Sequence, residues 1–183
     1  MAKIKLTDFK KFIGQMTEAE MRNELTILFS KLPQVHDYYA QELMPPEVRK
    51  SVLDEYKKKI YSQFWTRGGN PRNASNASNA EVRKIITEFE KVSIMPKEVV
   101  ELLLYRVDVV LDQANQFGGL PDTDYNAAMN AYEKALKIIT KEKLESYFKE
   151  ECLSLSRDRG NMDYWVIEQM DDLNETYLDI ESE

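Results

Sequence analysis

The chain has one histidine and one cysteine, the residue types most often used for acid–base and nucleophilic chemistry. His36 precedes Asp37 in the segment PQVHDYYAQEL, so a His–Asp pair acting as a general base is conceivable. Adjacent residues on a helix point about 100° apart, however, so Asp37 cannot easily orient the His36 ring. We therefore interpret His36 as a surface histidine or a core histidine with its own hydrogen-bond partner.

Cys152 would need a neighbour that stabilises a thiolate in order to act as a nucleophile. Its neighbours in the sequence are Glu150 and Glu151, whose negative charges raise a thiol pKa rather than lower it. Cys152 also shares a helical face with Phe148 and Leu155. We interpret it as a core residue.

The sequence indicates neither a metal site nor a cofactor. One cysteine excludes an intrachain disulfide and a multi-cysteine zinc site, and one histidine excludes the paired Glu-x-x-His motifs of di-metal bundles. Gly68-Gly69 lacks the Lys-Ser/Thr that follows the glycines of a P-loop. We expect no catalytic, cofactor-binding or metal-binding residue. An enzyme with a carboxylate-based site not visible in the sequence is kept as an alternative.

Two clusters of charged residues remain as candidate interaction surfaces. The basic cluster, which has aromatic residues interleaved, consists of Lys57, Lys58, Lys59, Trp65, Arg67, Arg72, Arg83 and Lys84. The acidic cluster consists of Asp171, Asp172, Glu175 and Asp179. Basic residues beside aromatic rings can hold single-stranded nucleic acid, but a pI near 5.0 argues against a nucleic-acid binder. The acidic cluster would suit a basic partner, although solvated faces explain both clusters more simply.

These residues must be positioned by helices. Six glycines and six prolines in 183 residues are too few for the frequent turns of an all-β protein, and no segment alternates with period two. Thr7 is the predicted N-cap of a first helix, and Thr17 with Glu20 has the spacing of a capping box. Residues 96–117 are apolar round most of the helical circumference. The sequence predicts an all-α bundle of eight or nine helices around this central buried helix.

We expect one helical domain over residues 1–183, interrupted by a polar Gly/Asn/Ser connector at residues 67–79. Ser78 or Asn79 is the natural N-cap of the helix that follows the connector. The N-terminus lacks the apolar run of a secretory signal. The most apolar segment, VVELLLYRVDVVL, contains three charged residues and is too short to span a bilayer. The sequence therefore predicts a cytoplasmic protein with no membrane association.

Two resemblances bear on the fold. DYNAAMNAYEKALKI resembles the second helix of a tetratricopeptide repeat, but a repeat array needs at least three copies and only one partial copy is present. More of the chain resembles an uncharacterised bacterial family of small all-helical proteins that carries a domain-of-unknown-function label. That resemblance covers nearly the whole chain and rests on LTDFKKFI…MTEAEMRNELTILFSKLPQVHDYY, EVRKIITEFEK, VELLLYRVDVVLDQANQFG and DYNAAMNAYEKALKII in this order. It implies a single helical domain and supplies no activity.

We expect a non-catalytic protein that acts through protein–protein interaction or self-association. Its partner would be an unidentified protein or a second copy of the chain, since a binding protein needs only a surface and an enzyme needs convergent polar groups. Charge is uneven, because residues 141–183 hold 5 Lys/Arg against 13 Asp/Glu. Such asymmetry can steer a partner but does not identify it.

Overall fold

The computed structural model describes residues 5–65, 78–157 and 163–178. These residues form nine helices and no strand, and 86% of them are helical, which confirms the predicted all-α class. The helices are α1 (Leu6–Ile13), α2 (Glu18–Lys31), α3 (Pro33–Leu43), α4 (Pro46–Phe64), α5 (Asn79–Val92), α6 (Pro96–Phe117), α7 (Asp122–Glu142), α8 (Glu145–Leu155) and α9 (Tyr164–Leu178). Of the predicted connector at residues 67–79, only Ser78 and Asn79 lie inside the described residues.

The chain divides into two compact units. Unit 1 comprises residues 1–44 and holds α1 to α3, whereas unit 2 comprises residues 45–183 and holds α4 to α9. The expectation of one domain over the whole chain stays a prediction. None of the described helices combines the length and apolar character required to cross a membrane.

Side-chain hydrogen bonds stabilise the starts of α1 and α2 in unit 1. Thr17 Oγ1 accepts a hydrogen bond from the Glu20 N–H at 3.3 Å, and Glu20 Oε2 accepts one from the Thr17 N–H at 2.8 Å, which confirms the predicted capping box. The predicted N-cap at Thr7 is wrong. Helix α1 begins at Leu6, because the Asp8 carboxylate accepts a hydrogen bond from the Lys5 N–H at 3.2 Å and so fixes Lys5 as the cap.

Unit 1 has no buried residue among its described side chains. Within it, only α2 and α3 pack extensively on each other. Its exposed large apolar residues are Leu6, Phe9, Phe12, Met21, Leu25, Leu32, Tyr38 and Leu43. The helices of unit 1 therefore gain little stability from packing within the unit.

Unit 2 is built around α6, which contributes more buried residues than any other described helix. Helix α6 packs against α4, α5, α7 and α8, and its contact with α7 is the most extensive in the structure. The prediction of a central buried helix over residues 96–117 is confirmed. The helix ends where Gly118 adopts a left-handed conformation with φ of 72°, which glycine reaches without steric cost.

A chain of buried polar groups joins α7, α8 and α9. Tyr132 Oη donates to Asn174 Oδ1 at 2.6 Å and lies 3.2 Å from the Cys152 carbonyl oxygen. Asn174 Nδ2 in turn donates to Ser156 Oγ at 3.4 Å. Because Tyr132, Asn174 and Ser156 all have hydrogen-bond partners, the burial of these three side chains carries no uncompensated desolvation cost.

Candidate functional site

A buried arginine lies in the middle of α6. Arg106 is 2% exposed, and its guanidinium donates from Nη1 to the Ala127 carbonyl oxygen and from Nη2 to Asn79 Oδ1 at 3.0 Å. Its Nε is buried and has no hydrogen-bond partner among the described residues. An arginine buried to this extent without a direct carboxylate partner is unusual, because burying a charge is costly.

Asn79 connects Arg106 to the start of α5. The N-cap of α5 is Ser78, as predicted, since Ser78 Oγ accepts from the Glu81 N–H at 3.2 Å. Asn79, the first residue of the helix, donates from Nδ2 to the buried Asp124 carboxylate while its Oδ1 accepts from Arg106. The Asn79 amide therefore connects the Asp124 carboxylate to Arg106 by hydrogen bonds.

Arg106 lines a cavity of about 260 Å³ between α5, α6 and α7, which we call the cationic cavity. Its other lining residues are Arg83, Ile86, Thr87, Leu103, Ala127, Asn130, Ala131 and Lys134. Lys134 forms an ion pair with Glu90. Arg83 donates from Nε to the Asn79 carbonyl oxygen at 3.3 Å. Three cationic side chains thus line one cavity, and among the described residues only that of Lys134 forms an ion pair.

The electrostatics of the cationic cavity favour negative ligands. Burial, and then the nearby charge of Arg83, lower the pKa of Arg106 to about 10, while the charge of Asp124 opposes the change. A pKa of about 10 still leaves Arg106 charged at neutral pH. Guanidinium groups bind carboxylates and phosphates through paired, charge-assisted hydrogen bonds. The arrangement can hold an anion.

A second pocket, of about 410 Å³, has lining residues of both charges and is called the mixed-charge pocket. Its ionisable lining residues are Lys57, Lys97, Glu101, Tyr105, Asp108, Tyr147 and Glu151. Burial, and then the charges of Glu101 and Asp108, raise the pKa of Glu151, while Lys57 lowers it. None of the three carboxylates is buried. This is not the deep pocket of buried carboxylates that an enzyme of the alternative class would need.

The described residues of the basic cluster do not share one site. Lys57 bonds to Glu101 at 2.6 Å in the mixed-charge pocket, and Lys84 pairs with Glu81 at 3.7 Å. Arg83 lines the cationic cavity. Lys58 is exposed on α4, and Lys59 lies 4.1 Å from the centre of the Tyr56 ring.

Trp65, the aromatic residue of the basic cluster, belongs to the core of unit 2. Trp65 is 6% exposed and stacks on Tyr61 with ring centres 5.8 Å apart, while Tyr56 packs on Phe89 at 5.0 Å. The Trp65 ring is therefore covered and does not offer an open face to a base. Arg67 and Arg72 lie outside the described residues.

The acidic cluster lies on α9, where Asp171, Asp172 and Glu175 are exposed, and Asp179 lies outside the described residues. His36 is exposed, and its ring packs against Phe29 with ring centres 4.9 Å apart. Cys152 is fully buried, as predicted, and burial raises the pKa of its thiol to about 12. A buried protonated thiol does not act as a nucleophile.

The sequence analysis did not identify Arg106, Asn79 and Lys134 as candidate site residues. The available signal was a charged residue inside an otherwise apolar stretch of α6, since such a residue is either paired or functional when buried. No local pattern connects that residue with Asn79, which lies 27 positions earlier.

Fold and cavity together define an all-α protein with a cationic cavity between three helices of one unit. The chain belongs to a family of unknown function, DUF6155, whose model matches residues 2–178. No curated protein and no solved structure matches the chain. The expected membership in a domain-of-unknown-function family is thereby confirmed.

Proposed function

We propose that the protein is non-catalytic and acts through self-association, with unit 1 as the interacting part. The observation that supports this proposal is the apolar face of α1. Leu6, Phe9 and Phe12 are spaced three apart, so they lie along one side of the helix, and they are 67%, 49% and 54% exposed. Burying one such side chain contributes about 1.5–3 kcal/mol, so the exposed face favours a partner.

The surface that would receive α1 is a groove between α2 and α3, which we call the α2–α3 groove. It has a volume of about 330 Å³ and is lined by Leu25, Thr26, Phe29, Tyr39 and Leu43. Apolar grooves between two helices bind the apolar face of an amphipathic helix. We assign α1 of a second copy as its occupant, which gives a symmetric dimer in which each copy supplies both a helix and a groove.

The charge distribution supports contact through unit 1. Residues 1–44 hold six Lys/Arg and six Asp/Glu, so unit 1 is neutral, and the net charge of −7 belongs to unit 2, with 19 Lys/Arg and 26 Asp/Glu. Two copies of unit 1 therefore approach without net repulsion, whereas two copies of unit 2 repel each other. Helix α1 is positive in its last turn, with Lys10 and Lys11, while α3 contains two acidic residues and no Lys or Arg.

Sedimentation equilibrium over a wide concentration range tests the proposal. The native chain should form dimers, and Phe9→Gln in α1 or Leu43→Gln in the α2–α3 groove should weaken dimerisation at least tenfold. Tyr164→Gln is the matched control, because Tyr164 is 78% exposed on α9 of unit 2. A chain that stays monomeric at about 1 mM, or equal weakening by the control, would show that unit 1 does not mediate self-association.

We further propose a cytoplasmic setting in a bacterium. The single cysteine, buried as a free thiol, is compatible with a reducing compartment. The bacterial origin rests on the resemblance of the quoted segments to a bacterial family. Fractionation of cells that express the chain at its native level, followed by immunodetection, tests the compartment.

A further inference from the structure

We propose that the cationic cavity is a binding site for a small organic anion, namely a carboxylate that carries a short aliphatic chain. The site lies wholly within unit 2, between α5, α6 and α7. It is independent of the self-association proposed for unit 1, so either proposal can fail alone.

Positive charge without a direct carboxylate partner among the described residues is the first reason. Neither Arg83 nor Arg106 forms an ion pair with a carboxylate among the described residues, while Lys134 is paired with Glu90. Arg106 is nonetheless 2% exposed, and the charge of Arg83 is close enough to lower the pKa of Arg106. The buried charge of Arg106 is opposed by the neighbouring charge of Arg83 and only partly offset by the nearby Asp124 carboxylate, so a bound anion would stabilise it.

Unused hydrogen-bond donors are the second reason. A guanidinium has five N–H donors, and Arg106 directs two of its nitrogens to Ala127 and Asn79 while its buried Nε has no partner among the described residues. A buried donor without an acceptor costs about 1–3 kcal/mol. If Arg106 served only to tie α6 to α5 and α7, a side chain with fewer donors would perform that role at lower cost.

The shape and lining of the cavity indicate the class of anion. Its volume of about 260 Å³ lies just below the usual range for drug-sized ligands, roughly 300–1,000 Å³. Ile86, Leu103 and Ala131 provide an apolar wall beside the guanidinium groups. A carboxylate matches the planar fork of an arginine, and a short aliphatic chain matches the apolar wall.

The test is a titration with sodium butyrate at constant ionic strength, followed by ¹H–¹⁵N correlation spectra. Butyramide serves as the uncharged probe and inorganic phosphate as the anion without an aliphatic chain. Butyrate should shift the Arg106 Nε–H resonance and the amide resonances of α7 near Ala127 and Ala131 with a saturable curve. Butyramide should bind at least tenfold more weakly, and phosphate should bind more weakly than butyrate.

Two substitutions on α5 form a matched pair. Arg83→Gln removes a charge from the lining of the cavity, whereas Lys84→Gln removes one from the adjacent residue, which pairs with Glu81 outside the cavity. Both side chains are exposed, so neither change should unfold the protein. Arg83→Gln should weaken butyrate binding at least tenfold, and Lys84→Gln should change it less than twofold.

Each remaining outcome overturns the proposal or part of it. Absence of saturable binding to any of the probes up to about 50 mM would leave Arg106 with a purely structural role. Equal weakening by the two substitutions would show that the anion senses only the general charge of α5. Phosphate binding without butyrate binding would overturn the assignment of an aliphatic carboxylate.

Discussion

Units 1 and 2 are built from helices of similar regularity, yet only unit 2 has a core. All buried apolar residues among the described parts of the chain lie between Leu53 and Leu178, within unit 2. In unit 1, Met21 and Leu25 of α2 and Leu32, which follows its last residue, are 38%, 47% and 43% exposed. In α5 of unit 2, Val82 and Phe89 are 0% and 1% exposed.

The comparison separates the formation of a helix from its burial. A stripe of apolar residues at helical spacing identifies the face that can be buried, but the free energy is gained only when another surface covers that face. In unit 2, α6 provides such a surface to four neighbouring helices. Unit 1 depends instead on caps and on the packing of α2 with α3.

The largest difference between the units should come from the same substitution made in each. Leu104→Ala removes a side chain that is fully buried in α6 and should lower the free energy of unfolding by about 3 kcal/mol. Leu32→Ala, at a residue that is 43% exposed in unit 1, should change it by less than about 0.5 kcal/mol. Urea denaturation of the dilute monomer measures both values. Similar losses would mean that Leu32 is covered in solution.

A smaller effect is expected on the pH dependence of the free energy of unfolding, because the core of unit 2 contains a buried thiol. Burial raises the pKa of Cys152 from its ordinary 9.0 to about 12. The stability that this group contributes is therefore fully present below pH 9 and is lost as the pH rises from 9 to 12. Between pH 8 and pH 10 the native chain should lose about 1 kcal/mol more free energy of unfolding than Cys152→Ala does.

Denaturation in the presence of a reducing agent measures this pH dependence. Tyr125 and Tyr132 also have a pKa raised chiefly by burial, but they remain in both proteins and cancel in the difference. Parallel pH profiles for the native chain and Cys152→Ala would show that the thiol is accessible to solvent in the native state.

The smallest effect should be local and confined to unit 1. Thr17→Ala removes the capping box of α2 and should destabilise that helix by about 0.5–1 kcal/mol. Hydrogen exchange of the α2 amides should accelerate about twofold to fivefold, while the amides of α6 stay unchanged. Ser30→Ala is the matched control, because its hydroxyl donates to the Thr26 carbonyl oxygen inside the same helix, caps nothing and lies outside the α2–α3 groove. Acceleration that extends into α6 would mean that the two units unfold together.

Most of the helix boundaries could be predicted because their signals are local. Helix α6 was expected at residues 96–117 and is observed at Pro96–Phe117, since Pro96 starts it, apolar residues run along it and Gly118 ends it. The start of α1 was predicted wrongly because both Lys5 and Thr7 can precede the first turn. The Asp8 carboxylate bonds to the Lys5 N–H, so the helix begins at Leu6, one residue before Thr7. Such competition depends on small energy differences that sequence patterns do not rank.

The candidate site could be predicted only in part. Arg106 is a charged residue within the apolar sequence of α6, which marks it as unusual. Its role as a site residue depends on its hydrogen bonds to the Ala127 carbonyl oxygen, 21 positions later, and to Asn79, 27 positions earlier. Those contacts arise from the packing of α5 and α7 on α6, which one sequence does not specify. Lys134 lies in the segment DYNAAMNAYEKALKI, which by itself indicates only a helix, and the packing of α7 on α5 and α6 brings it to the cavity of Arg83 and Arg106.

The contact between α6 and α7 has a consequence for the order of folding. The two helices are neighbours in the sequence, joined by residues 118–121, and they form the most extensive helix pair of the structure. Contacts between neighbouring segments require little loop closure and form early, within about microseconds to milliseconds in helical proteins. The core of unit 2 should therefore nucleate as an α6–α7 hairpin. Substitutions in that hairpin should slow folding, whereas substitutions in α9 should mainly accelerate unfolding.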